Sequence, residues 1–76
     1  MNGSKAAIYF YLKSEYAADE DRWFSVKRVA SVVDLSINRT GCYLRLLVLS
    51  NCLDTKIDRF SNVYRYKRRG NNGEAL

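Results

Sequence analysis

An α+β fold is predicted for this chain of 76 residues, with three helices, one short strand and a closing two-stranded hairpin. Three observations predict it. Apolar residues recur at helical spacing in three stretches before Asn51, and no proline interrupts any of them. Serines stand directly ahead of the second and third stretches, where a hydroxyl caps free backbone N–H groups. From Leu53 onward the apolar period shortens to two residues, the signature of strands.

Ser4 is placed to cap a first helix that runs from Lys5 to about Ala17, with Ile8, Leu12 and Tyr16 on one core-facing stripe. Tyr9, Phe10 and Tyr11 spread apolar surface around most of the circumference, more than one stripe requires. That surplus predicts a homodimer contact through helix 1. The acidic Asp19-Glu20-Asp21 ends the helix as a loop, and Arg22-Trp23-Phe24 reads as a brief strand. Ser25 then caps a second helix, with Val26, Val29, Ala30 and Val33 inward and Lys27 and Arg28 outward, ending near Asp34.

After a tight turn, Ser36 caps a third helix over residues 37–50, whose buried positions are read as Ile37, Thr40, Leu44 and Leu47. Asn51 tolerates the left-handed conformation that ends a helix. Leu53 to Arg69 reads as a hairpin broken at Ser61-Asn62. A two-residue turn there sets Ile57 opposite Tyr66, Asp58 opposite Arg65 as an ion pair, and Lys56 opposite Lys67. The domain is thus expected over residues 1–69, with 70–76 as an aperiodic, disordered tail.

Composition narrows the classes of function. Hydrophobic residues make up 47% of the chain, enough for a globular core. A chain this short buries only about 60% of the surface its unfolded form exposes, so support from a partner is expected. Lys13 and Glu15 interrupt the aromatic run, so no stretch reaches the roughly 18 apolar residues of a membrane span. The amino terminus lacks a secretory layout, and a cytoplasmic location is expected. Cys42 and Cys52 make at most one bridge and are read as free thiols. Histidine is absent from the sequence. Zinc, other cofactors, a small-molecule substrate and catalysis have no candidate residues, so the chain is not read as an enzyme.

Charge points to a partner. Lys and Arg number 13 against 8 Asp and Glu, a net +5, distributed as −2 over residues 1–21, +8 over 22–69 and −1 over the last seven. A basic body favours a polyanion, because neutralising phosphates releases condensed counterions.

Helix, short strand, helix, tight turn, helix and hairpin is the order of a winged helix-turn-helix. Ala30 supplies the small side chain needed where helices 2 and 3 cross, and Leu44 and Leu47 turn inward so that the opposite face of helix 3 is free for a major groove. Arg22-Trp23-Phe24-Ser25, Val29-Ala30 and Asp34-Leu35-Ser36-Ile37-Asn38-Arg39, with the aromatic first helix from Ala7-Ile8-Tyr9, resemble the winged-helix core of the CaiF/GrlA family of enterobacterial transcriptional activators. The resemblance covers about residues 7–60; Thr40 and Gly41 depart from that family's alanine and serine. It implies DNA-linked transcriptional regulation.

On the open side of helix 3 the sequence offers Asn38, Arg39, Gly41, Cys42 and Arg45 to base edges. Arginine forks onto guanine and asparagine onto adenine. Ser36 and the helix amino terminus suit a phosphate. Gly41 marks either close approach to a partner or a weak spot in the helix. Lys27 and Arg28 are either phosphate contacts or solvated charge. In the wing, Lys56, Arg65, Lys67, Arg68 and Arg69 are expected to grip phosphate or the neighbouring minor groove, with one phosphate between Lys56 and Lys67 relieving their repulsion. Trp23, Tyr64 and Tyr66 are read as packing residues. The expected partner is double-stranded DNA. The competing expectation is a winged-helix protein–protein interaction module, and an RNA-binding winged helix is a third.

Overall fold

The computed structural model describes residues 3–68. In chain order these form α1 (Gly3–Ala18), β1 (Phe24–Ser25), α2 (Val26–Val33), α3 (Ile37–Leu49), β2 (Leu53–Asp58) and β3 (Ser61–Tyr66). The order of elements is the one the sequence predicts, but the short strand is Phe24–Ser25 rather than residues 22–24, and it joins the hairpin in one three-stranded antiparallel sheet. Arg69 and the tail expected over 70–76 lie outside the described residues. No described helix is long and apolar enough to cross a membrane.

Capping chemistry sets most of the boundaries. Ser25 and Ser36 are extended, and each Oγ accepts a hydrogen bond at 3.1 Å from the backbone N–H three residues on, Arg28 and Arg39 respectively. Ser4 does not act this way, since α1 begins at Gly3 and holds Ser4 in its first turn. Asp34 adopts a left-handed conformation at φ 58° and ψ 48°, and Leu35 donates its N–H back to the Ala30 carbonyl at 3.1 Å. This closes α2 so sharply that only residues 34–36 separate it from α3. Asn51, at φ 66°, ends the turn after α3 in the same way. Asp and Asn adopt this region most readily among the non-glycine residues.

The sheet runs β1-β3-β2, so the last strand lies between the other two. Ser25 serves two elements at once, facing Val63 across β1 and β3 while its hydroxyl caps α2. The core joins Ile8 and Leu12 of α1, Val29 of α2, Leu44 and Leu47 of α3, and Phe24, Leu53 and Tyr64 from the three strands. Tyr9 and Tyr11 pack against it, Tyr9 edge-on to Tyr66 at 5.7 Å and Tyr11 to Phe24 at 5.6 Å. Two of the three surplus aromatics are therefore consumed internally, and Phe10 alone of them stays exposed.

The structure corrects the hairpin register. Its turn is Arg59-Phe60, not Ser61-Asn62, and the ladder pairs Leu53 with Tyr66, Asp54 with Arg65, Lys56 with Val63 and Asp58 with Ser61. Ile57 does not meet Tyr66, Asp58 does not meet Arg65, and Lys56 does not meet Lys67. Burial explains the choice. The observed register covers Leu53, 2% exposed, with Tyr66, and leaves Ile57, 71% exposed, beyond the helices. Arg59 turns the chain at φ 62°, a conformation that costs a side-chain-bearing residue roughly 1–2 kcal/mol.

A second correction concerns α3. Its buried positions are Thr40, Gly41, Leu44 and Leu47, while Ile37 is 51% exposed. Ile37 is the first helical residue and is only half covered. Gly41 takes the inward place instead and faces Val26 of α2.

Candidate nucleic-acid interface

With Thr40, Gly41, Leu44 and Leu47 turned inward, helical geometry leaves Asn38, Arg39, Cys42 and Arg45 on the free side of α3, and all four are exposed. Both arginines are braced along the helix. Arg39 donates through Nη2 to the Tyr43 hydroxyl at 3.2 Å, its guanidinium carbon 5.9 Å from that ring's centre. Arg45 donates through Nη2 to the Cys42 sulfur at 3.5 Å. Such contacts cut the rotamer freedom that a binding event would otherwise have to remove. Cys42 and Cys52 are both free thiols, the first exposed and the second half-buried.

Gly41 stands at the edge of this face, where it lines a shallow hollow with Val26, Ile37, Asn38, Cys42 and Arg45. It is buried against α2, and a methyl at its position would meet Val26 at 3.8 Å and Arg45 at 3.7 Å, ordinary contact distances. Ser36 spends its hydroxyl on the α3 cap.

Arg45 also forms the wall of a cleft between α3 and the sheet, shared with Val48, Leu49, Thr55, Asn62 and Tyr64. A neighbouring depression adds Lys27 at the start of α2 and Ile37 at the start of α3. One cation from α2, one from α3 and the polar Asn62 of the hairpin thus surround a single hollow. Arg28 is exposed but does not line it.

The hairpin bases divide into two groups. Strand alternation puts Lys56 and Arg65 on the face opposite Phe24, Leu53 and Tyr64. There they flank Trp23, the Lys56 ammonium 4.5 Å and the Arg65 guanidinium carbon 4.3 Å from the ring centre. Arg65 is further anchored to the Glu20 carbonyl. It is half-buried and joins the sheet to the loop after α1, a structural contact beside the phosphate role expected of it. Lys67 bonds the Asn51 side chain through Nζ, and its backbone N–H meets the Cys52 carbonyl at 3.1 Å. Lys67 and the exposed Arg68 therefore lie at the carboxyl end of α3, remote in the ladder from Lys56. The paired clamp expected of Lys56 and Lys67 does not form.

Three features escaped the sequence reading. The stack of Lys56, Trp23 and Arg65 depends on the register, which local signals do not fix. The hairpin tip carries Arg59 and a fully exposed Phe60 for the same reason. Leu46 and Leu49 project from the free side of α3, Leu49 at 82% exposure. That one was readable: Leu46-Leu47-Val48-Leu49 is an apolar run too long to fall on one side of a helix. Comparison with family models, with curated proteins and with solved structures finds no match to this chain.

Proposed function

We propose that this chain is a winged helix-turn-helix regulator of transcription that binds double-stranded DNA with sequence preference, α3 reading base edges in the major groove. The observation that carries this reading is the two-sidedness of α3. Its inner side is locked into the core by Leu44 and Leu47, while Asn38, Arg39, Cys42 and Arg45 stand together on the other. A helix of this kind fits the roughly 12 Å width of the major groove, and its arginine and asparagine side chains match guanine and adenine edges. In this reading Lys27 and Arg28 at one side, and Lys67 and Arg68 at the other, contact the phosphates that hold the helix in register. The assignment is the one the resemblance of residues 7–60 to the CaiF/GrlA activators implies. Free thiols suit a reducing compartment such as the cytoplasm.

Binding as a homodimer through α1 belongs to the same proposal, because one small module buries only about 600–1,000 Å² on DNA. Phe10 is the contact it uses.

Leu46 and Leu49 favour a second reading, a winged-helix module that docks on protein through the apolar end of α3. Selection of bound duplexes from a random pool separates the two. The DNA reading expects one enriched motif and a complex that weakens steeply with salt; an unenriched pool with no mobility shift at low salt would overturn it in favour of the protein partner.

A further inference from the structure

We propose that the hairpin tip enters the minor groove next to the site read by α3, with Arg59 lying in the groove and Phe60 wedged into a base step so that the duplex bends. The inference rests on the DNA reading above, in which the wing already meets the neighbouring minor groove, and adds to it the apolar wedge and a change in DNA shape.

The tip is built to project. Every residue from Thr55 to Asn62 is exposed, so this end of the hairpin supports nothing in the core. Two large apolar side chains nevertheless sit there, Phe60 wholly exposed and Ile57 mostly so. Their surface serves no internal contact, and exposed apolar surface at a projecting point marks a place of contact with something else. Between them stands Arg59, in the left-handed region at φ 62°. Glycine or asparagine fits such a turn without strain. The chain carries instead a long cation at the apex.

The tip also lies beside the helix face. Arg45 of α3 faces Thr55 and Asn62 of the hairpin across one cleft, and Ile57, opposite Asn62 in the ladder, continues that side outward. Asp58 is the one carboxylate at the tip. Alternation puts it, with Lys56, on the hairpin face opposite Ile57 and Asn62. The cleft between α3 and the hairpin is lined by Arg45, by the apolar Val48 and Leu49 and by the uncharged Thr55, Asn62 and Tyr64.

A duplex suits this combination. The minor groove, about 6 Å wide, admits a turn of two residues but not a whole pair of strands. Its narrow A/T-rich form concentrates negative potential that attracts arginine. Apolar wedges from proteins that enter this groove unstack a step and kink the duplex by about 20–90°. A lipid surface would also accept a phenylalanine beside an arginine, but the neighbouring α3 face, with arginines and an asparagine braced on a rigid helix, gives it nothing to read.

The test uses the duplex enriched in the pool selection, labelled at both ends for energy transfer and carrying 2-aminopurine at steps flanking the α3 motif. The full chain should bring the ends closer and brighten the probe at one flanking step. F60A should keep native circular dichroism, since Phe60 touches no core residue, bind about tenfold more weakly, and lose both the bend and the brightening. F60L should retain part of each. R59A should abolish any preference for A/T at the flanking steps. If F60A binds and bends DNA as the unaltered chain does, or if the unaltered chain binds without bending, the wedge is refuted while the DNA reading stands. Loss of all binding by F60A, with F60L binding an unbent duplex, refutes it equally. If the unaltered chain binds no duplex but its tip binds anionic vesicles, both proposals fall.

Discussion

Arg65 donates a hydrogen bond through Nη1 to the carbonyl oxygen of Glu20, 2.8 Å away and 45 residues earlier in the chain. The same guanidinium lies over Trp23. One side chain thus ties the central strand to the loop that leaves α1. Replacing it with alanine should lower the free energy of unfolding by about 1–2 kcal/mol, the scale of one charged hydrogen bond with a cation–π contact. Urea titration measures this. DNA affinity, compared under conditions where both proteins are fully folded, should change little; a large loss there would place Arg65 in the interface as well.

Gly41 should be replaceable with profit. It sits mid-helix without positive φ, and an added methyl meets its neighbours at ordinary distances. Gly41→Ala is expected to raise stability by about 0.5–1 kcal/mol through reduced backbone freedom in the unfolded chain. A fall in thermal midpoint would mean that α2 and α3 cross more tightly than the 3.8 Å approach of Val26 implies.

Base discrimination should rest on the free side of α3. Arg39→Ala and Arg45→Ala are each expected to cost ~1–3 kcal/mol on the preferred site and much less on random DNA. Lys27→Gln should instead weaken every sequence alike and reduce the slope of log affinity against log salt by about 1. Filter binding at several salt concentrations separates the two patterns. Uniform loss in the arginine variants would show that they act only on phosphates.

Phe10 and Tyr9 should part company in the assembly state. Phe10 is 59% exposed, whereas Tyr9 is packed on Tyr66. Phe10→Ser should shift sedimentation from dimer to monomer with helicity intact, and Tyr9→Ser should lower stability instead. A monomer in the unaltered chain, at high concentration and on DNA, would end the dimer proposal.

How far the sequence was legible can be judged residue by residue. Ser25 and Ser36 announced α2 and α3 because a cap is a local interaction, settled within three residues. Asn51 was readable for the same reason. The hairpin was visible as a period of two but its register was not: moving the turn from Ser61-Asn62 to Arg59-Phe60 keeps odd residues of β2 facing even residues of β3, so the pattern of faces is unchanged. Only the long-range demand to cover Leu53 and to pair Phe24 with Tyr64 decides between them, and Arg-Phe carries no turn chemistry of its own. The site followed suit. Asn38, Arg39, Cys42 and Arg45 were readable from helical spacing, whereas Gly41 and Ile37 exchanged roles because their burial depends on where α2 crosses. The fates of Lys56, Arg65 and Lys67 depended on the register.

The double duty of Ser25 reaches into how the molecule opens. β1 is only two residues long, and its last residue is also the cap of α2. Separation of β1 from β3 therefore uncaps the helix in the same motion, and loss of the cap loosens the strand. Sheet and helix pair are not independent units of local unfolding but one cooperative unit. Amide hydrogens in the first turn of α2 and in β3 near Val63 should accordingly exchange with solvent through a shared opening, and whatever steadies the hairpin steadies the base of the helix pair as well.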